Sequence, residues 1–378
     1  MKLEVFLAAI IISICFIGTQ AQKPSTPQEY LTRGYEKEQK GDSGGALDDY
    51  AKAIEIDPRA VEAFYYRGSL YMNIGNLQSA LTDFNKALEL NPKHAGVLGN
   101  RSNVWKVMGE NAKGRADLDA ALQVEKDRDR RALMYYQRGI LWHTDKTMSL
   151  SLEDSKTPET LRASLLKQFD KKYSNAIQDY NEALKLRPDY GDAFADRGEA
   201  KKSKSDYDGA LSDYENALKI NPCFARVFYN RALLFTDKGN LDQAIKDYDK
   251  AIDCKKDYEI AYSNRGYLRF LKKDFSGAKQ DFDAAMRLDP NDAFPYLNRG
   301  LLLVEEKSFE AAIKDYSRAL EIDPKEFKIY SARGIAYLRL GKESEAKQDF
   351  ESALKLNPQF RSQLEIEIDK VRNQKENH

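Results

Sequence analysis

The sequence predicts an all-α fold, a stack of antiparallel helix hairpins closed by a C-terminal capping helix. Three observations lead there. The stretch 259–359 contains one unit three times, each copy displaced by 34 residues: Tyr262-Ser263-Asn264-Arg265-Gly266, Tyr296-Leu297-Asn298-Arg299-Gly300 and Tyr330-Ser331-Ala332-Arg333-Gly334. Twelve residues after each Gly comes an Ala-x-x-Asp-aromatic-x-x-Ala segment, Ala278 to Ala285, Ala312 to Ala319 and Ala346 to Ala353, and Pro290, Pro324 and Pro358 close the copies. No strand pattern is present, so the period belongs to helices.

At the N-terminus, Met1-Lys2-Leu3-Glu4 carries one Lys, and Val5 to Ile17 form an apolar run broken only by Ser13. Thr19 and Ala21 are small residues three positions and one position before a cut after Ala21, so residues 1–21 read as a secretory signal. An uncleaved anchor is the other reading, but the run is short for a full span. A lipoprotein signal would need a small residue before Cys15, where Ile14 stands. No later segment is long and apolar enough to cross a membrane. The expectation is an exported soluble chain, periplasmic, secreted or in a secretory lumen. Residues 22–26 are a flexible polar leader.

The first three repeats occupy 27–128. Those at 27–60 and 61–94 are regular, with Arg33-Gly34, Ala46, Tyr50, Ala53 and Pro58, then Phe64, Arg67-Gly68, Ala80, Phe84, Ala87 and Pro92. The third is degraded: Ser102 replaces the Gly, Gly114 the first Ala, Leu118 the aromatic and Lys126 the Pro. The fourth, at 129–190, begins near Ala132 with Tyr135 and Arg138-Gly139. Its second half, Ala176 to Pro188, arrives late, so an insertion splits this hairpin. Within the insertion Thr157-Pro158 is a helix-start signal, and Leu161, Leu165, Leu166 and Phe169 share a face of the helix that follows. It reads as a lengthened hairpin arm, with a dedicated contact element around 145–172 as the alternative. Five further repeats fill 191–360 without a break in register. In 361–378, Leu364, Ile368 and Val371 lie on one helical face, suited to covering the last repeat.

The spacing has a packing explanation. The second helix places two Ala and the ring between them on one face. Small residues there and at the Gly of the first helix let the backbones approach, the aromatic fills the space beside them, and Pro ends the hairpin.

These motifs resemble the tetratricopeptide repeat family over about nine tenths of the chain. The resemblance implies a right-handed superhelical solenoid whose concave face is lined by the first helix of each hairpin, and it implies binding of proteins or peptides there. One departure recurs. The residue before the Gly position, usually apolar in the family, is Arg in every copy: Arg33, Arg67, Arg101, Arg138, Arg197, Arg231, Arg265, Arg299 and Arg333. The residue before the second-helix aromatic position is Asp in every copy: Asp49, Asp83, Asp117, Asp179, Asp213, Asp247, Asp281, Asp315 and Asp349. Both lie equally far from the turn of an ordinary hairpin, so a structural Arg–Asp ladder is expected. Arg suits it because a planar guanidinium can hold a carboxylate bidentately. An anion-binding role is the alternative, and the acid beside each Arg argues against it.

Family geometry puts Ile260, Tyr267, Phe270, Leu271, Phe294, Leu297, Leu301, Val304, Ile335 and Leu338 on the groove, a largely apolar set. Toward the N-terminus and middle the same positions are more polar: Gln28, Tyr35, Glu38, Glu62, Ser69, Asn103, Lys106, Glu199 and Lys202. The apolar part suits an amphipathic or extended protein segment. Alternatively, adjacent first helices pack together and hide it. The Lys/Asn pattern by which some relatives clamp a terminal carboxylate is absent as a set.

Lys+Arg and Asp+Glu both number 60, so no positive excess exists to drive binding to nucleic acid or anionic lipid. His94, His143 and His378 are scattered, and no metal spacing or glycine-rich phosphate loop occurs, so neither cofactor nor catalysis is expected. Cys223 and Cys254 sit near the ends of neighbouring repeats, so a bridge between them is conceivable, but its geometry is strict and the sequence gives no reason to assume that it is met, so two unpaired thiols are the favoured reading. The functional expectation is a non-enzymatic scaffold for protein partners, with a holdase for unfolded apolar segments as the alternative.

Overall fold

The computed structural model describes residues 24–145 and 159–376, with side chains over 24–145 and 164–373, in two compact units that divide after residue 150. The first contains α1 (Pro27–Gln39), α2 (Ser43–Ile56), α3 (Val61–Asn73), α4 (Leu77–Leu90), α5 (Ala95–Val107), α6 (Asn111–Val124) and α7 (Arg128–His143). The second contains α8 (Glu159–Leu186), α9 (Gly191–Ser203), α10 (Tyr207–Ile220), α11 (Ala225–Asp237), α12 (Leu241–Cys254), α13 (Glu259–Leu271) and α14 (Phe275–Leu288). It continues through α15 (Ala293–Glu305), α16 (Phe309–Ile322), α17 (Phe327–Arg339), α18 (Glu343–Leu356), one 3-10 turn (Pro358–Phe360) and α19 (Arg361–Glu376). Among the described residues there is no strand. Within each unit the helices pair as antiparallel hairpins, and each second helix also packs on the first helix of the next hairpin.

Local chemistry sets the hairpin boundaries. Between the two helices, Gly41, Gly75, Gly109, Gly239 and Gly341 take φ of 74° to 82°, and Ser205, Lys273 and Lys307 take about the same conformation at the equivalent position. Asp42, Asn76, Asp206, Asn240 and Asp274 then cap the second helix, each side chain accepting from a backbone N–H three residues on. At the far end Asp57 and Asp289 adopt extended backbone before Pro58 and Pro290, as a residue preceding proline must, and each accepts from the N–H two residues on.

The core repeats with the chain. The Ala, aromatic and Ala of the second helices, such as Ala46, Tyr50 and Ala53 or Ala278, Phe282 and Ala285, are inaccessible to solvent. The first-helix glycines pack against those rings: a Cβ on Gly300 would lie 2.4 Å from Tyr316 Cε1, and one on Gly68 2.8 Å from Phe84 Cε1. In the degraded hairpin the bulkier Ser102 is accompanied by Leu118 in place of a ring, and Leu118 is fully buried.

Several details differ from the sequence reading. α7 starts at Arg128, ahead of Ala132, and runs 16 residues where the other first helices run 13, because Asp127 caps it by accepting from Arg130 N. α8 is continuous for 28 residues from Glu159, so the inserted helix and the late half of the fourth repeat are one element. Of the apolar face expected there, Leu165 is buried but Leu166 is 52% exposed, and Phe169 meets Tyr173 edge-on at 4.7 Å. Successive residues on a helix are about 100° apart, so Leu165 and Leu166 need not share an environment. Thr157-Pro158 and the candidate signal fall outside the described residues.

The two cysteines are bridged, contrary to the reading of unpaired thiols: Cys223 and Cys254 form a disulfide with Cα atoms 5.3 Å apart. The separation of 31 residues is less than one repeat, yet stacking brings the loop after α10 beside the last turn of α12. At the C-terminus Leu364 and Val371 of α19 are buried, and Val371 and Ile368 pack with Leu338, Ala346 and Phe350, so the last hairpin is covered. No described helix is long and apolar enough to cross a membrane.

Candidate functional site

The Arg and Asp positions meet across the hairpins. Arg33, Arg67, Arg101, Arg197, Arg231, Arg265, Arg299 and Arg333 each donate Nε and Nη2 to the two oxygens of the Asp 16 residues later, at 2.5 to 3.0 Å. The carboxylates are buried and the guanidinium groups largely so. Arg138 Nη1 donates to Asp119, which sits on the second helix of the preceding hairpin two residues beyond its ladder Asp.

The remaining donor extends the arrangement along the stack. Nη1 of Arg101, Arg197, Arg265 and Arg299 reaches Asn85, Asn181, Asp249 and Asp283, at 2.6 to 2.8 Å, and that of Arg333 reaches Ser317 at 3.1 Å. These acceptors sit on the second helix of the preceding repeat, two residues beyond its own ladder Asp. One guanidinium therefore fixes three helices. The aromatic four residues before the Gly position on the first helix lies against the same group: Arg33 is 5.2 Å from the Tyr30 ring centroid, Arg197 5.3 Å from Phe194 and Arg265 5.4 Å from Tyr262. A second cation joins in three hairpins, where Lys37, Lys201 and Arg269 approach Asp49, Asp213 and Asp281 within 2.9 Å. Burial alone would raise the Asp49 carboxyl, but hydrogen bonds from Arg33 and Lys37 hold it below its ordinary value. With its donors committed to protein acceptors, the ladder offers an incoming anion little.

The groove set is divided. Ile260, Tyr267 and Leu271 recur along one face of α13 and are 43%, 40% and 48% exposed, and Phe294 on α15 is 60% exposed. Phe270, Leu301, Val304 and Ile335 are half-buried. Leu297 and Leu338 do not belong to an exposed groove. Leu297 is buried in a cluster with Ile329 of the next first helix, and Leu338 is buried in the cluster that contains Val371 of α19. First helices of adjacent repeats touch one another, as α13 does α15, and residues between them are lost to the surface.

Toward the N-terminus the corresponding face is polar and mostly internally paired. Glu38 accepts from Tyr50 Oη at 2.9 Å, Ser69 from Asn100 at 2.8 Å and Asn103 from Gln137 at 3.3 Å. His94 accepts from Val97 N through Nδ1, so its other nitrogen, 3.1 Å from Glu62, carries the proton. Tyr35 remains 47% exposed, and Gln28 and Lys106 are exposed. Among the described residues no group of three His, Cys, Asp or Glu side chains is placed to hold a metal ion.

Comparison with known proteins assigns the recurring hairpin. The family model described as TPR repeat matches residues 34–75, 232–273 and 300–341, and two models described as tetratricopeptide repeat match 61–94 and 327–360, and 161–190 and 260–292. Together they span more than half of the chain. No curated protein sequence matches it. Among solved structures, PilF of Pseudomonas aeruginosa is 17% identical, with 66% of this chain and 100% of that one covered at a TM-score of 0.50. Yeast Tom70 is 18% identical, covering 93% and 88% at a TM-score of 0.39. YrrB, described as a TPR protein with an unusual peptide-binding site, is 22% identical, covering 56% and 95% at a TM-score of 0.42. On the recurrence of the family's repeat along its length, the chain belongs to the tetratricopeptide repeat family, whose arrays are protein–protein interaction scaffolds.

Proposed function

We propose that this chain is an exported scaffold that holds a protein partner on the first-helix face of α13 and α15. The observation that carries the reading is the strip Ile260, Tyr267, Leu271 and Phe294, four large apolar side chains left 40% or more exposed, whereas Leu297 and Leu338 nearby are covered by neighbouring helices. Exposed apolar surface of this kind has a cost in water that a docked segment removes. A residue of an amphipathic helix or extended strand placed there would bury rings at two successive repeats. Export is supported by two independent features, the apolar N-terminal run ending at Thr19-Gln20-Ala21 and the Cys223–Cys254 disulfide, a bond that persists in oxidising compartments.

The test is purification of the full chain from its native source beside the double variant Ile260→Glu, Phe294→Glu. A scaffold retains one or a few folded proteins that the variant loses. Equal retention by both proteins would remove the strip from consideration. Suppression of aggregation of unrelated unfolded clients, without a selective partner, would favour a holdase on the same strip.

A further inference from the structure

One ladder arginine lacks the ring that covers its neighbours. In the hairpins on either side of α15/α16, Tyr262 lies against Arg265 at 5.4 Å and Tyr330 against Arg333 at 5.9 Å, each ring coming three residues before its Arg. Tyr296 holds the same place in the sequence, but among the described residues no ring lies over Arg299 in this way. Tyr296 packs instead on the cluster that contains Phe282, Met286 and Leu302. A hollow of about 410 Å³ opens there between α14 and α15, lined by Asp283, Met286, Arg287, Tyr296 and Arg299. The Arg299 side chain is accordingly 26% exposed, against 12% for Arg265 and 20% for Arg333.

The hollow is separate from the apolar strip. Successive helix residues are about 100° apart, so Tyr296 and Arg299 lie on the side of α15 opposite Phe294 and Leu301.

Its lining states what it can hold. Nε and Nη2 of Arg299 are committed to Asp315 and Nη1 to Asp283, so the edge of this guanidinium has little left for a ligand. Its planar face is uncovered, and such a face attracts an aromatic ring. Met286 stands where every other copy has Leu or Ile, and an unbranched thioether adapts to a ring and makes a favourable contact with it. Arg287 lines the same hollow, is exposed, and among the described residues has no ion pair or hydrogen bond, so its fork is open to a carboxylate. Asp283, the acid in the wall, is held by Arg299 Nη1 at 2.6 Å, which compensates its charge. The volume lies at the small end of ligand sites and suits a single substituted ring.

We propose that this hollow binds a small aromatic carboxylate, its ring stacked on the Arg299 guanidinium and against Met286, its carboxylate accepting from Arg287. The site works independently of the partner strip.

The experiment uses the full chain labelled with 13C at the methionine methyls, with para-toluate as the probe and para-toluamide and cyclohexanecarboxylate as controls. Met286→Leu assigns the signal and restores a residue that other copies carry. A bound ring shields the methyl beside it, so the expected result is a saturable shift of the Met286 signal with toluate and none at the other methionines. Toluamide keeps the ring without the charge and should bind at least about fivefold more weakly. Cyclohexanecarboxylate keeps the charge on a saturated ring and should compete at least about fivefold more weakly than toluate binds. Arg287→Gln, a change at an exposed position, should lower the affinity for toluate to that for toluamide. The Ile260→Glu, Phe294→Glu variant should respond as the parent chain does.

No saturable shift at Met286, or shifts of similar size at the other methionines, overturns the proposal. Equal binding of toluamide, or unchanged binding of toluate by Arg287→Gln, removes the carboxylate contact and refutes it. Equal competition by cyclohexanecarboxylate removes the stacking and refutes it as well. Loss of the response in the strip variant would place the ring on the other side of α15 and overturn this site, whereas an intact response with no partner captured refutes the strip and supports the hollow.

Discussion

At the scale of single residues the ladder decides most. Asp281 is buried and accepts from Arg265 Nε at 3.0 Å, Arg265 Nη2 at 2.6 Å and Arg269 Nη1 at 2.9 Å. Asp281→Ala strands two guanidinium groups, and the expected loss is about 3 kcal/mol in urea unfolding. An unchanged midpoint would show that the pairing adds nothing. Glu259 behaves oppositely. Burial pushes its carboxyl up to about 7 from an ordinary value of 4.5, with Asp292 and Asp289 adding repulsion. Between those values the folded chain holds a proton that the unfolded chain has released. Its contribution to stability is therefore full below the unfolded value and lost as pH rises through about 7. Glu259→Gln should raise the melting temperature at pH 8 and change it little at pH 4; equal effects at both would place the acid elsewhere. The Arg–Asp pairing was legible because both residues recur at one spacing. The reach of Nη1 to the preceding repeat also had a signal, the polar residue in Asp83-Phe84-Asn85 and Asp281-Phe282-Asp283, but it appears only when residues are compared between copies rather than within one.

At the scale of elements, helix identity and register follow from the 34-residue period, since Gly, Ala, ring and Pro each answer a packing demand at a fixed place. The turn carries a further regularity that the reading passed over: the φ near +60° to +80° at Gly41, Gly75, Gly109, Gly239 and Gly341 recurs at Ser205, Lys273 and Lys307. A side chain there meets the following carbonyl. Lys273→Gly should stabilise by about 1 kcal/mol, and a loss would mean that the Lys273 side chain contributes more than its backbone costs. The disulfide was legible only as a possibility: Cys223 and Cys254 lie near the ends of neighbouring repeats, but the offset of a helix end against the preceding loop, which brings their Cα atoms to 5.3 Å, is not written in the spacing. Chain-entropy arguments give about 3 to 4 kcal/mol for a loop of this length, so Cys223→Ser, Cys254→Ser should lower the urea midpoint of the second unit; an unchanged midpoint would show that stacking alone holds these hairpins.

At the scale of the whole molecule, stability is a sum of hairpins and nearest-neighbour contacts, and function is a matter of which faces those contacts leave open. Family geometry pointed to the groove positions but not to their fate. Leu338 is covered because α19 occupies the place of a further first helix, and Leu297 because its neighbour leans on it. What remains, Ile260, Tyr267, Leu271 and Phe294, is a narrower surface than the sequence suggested and the one on which the functional account stands. A photo-crosslinking amino acid placed at position 294 tests it most directly, with the same group at Lys279, exposed on α14, as the control. Irradiation in the native compartment should give one or a few defined protein adducts at 294 and none at 279. No adduct at 294, or the same adducts at both positions, would contradict the account.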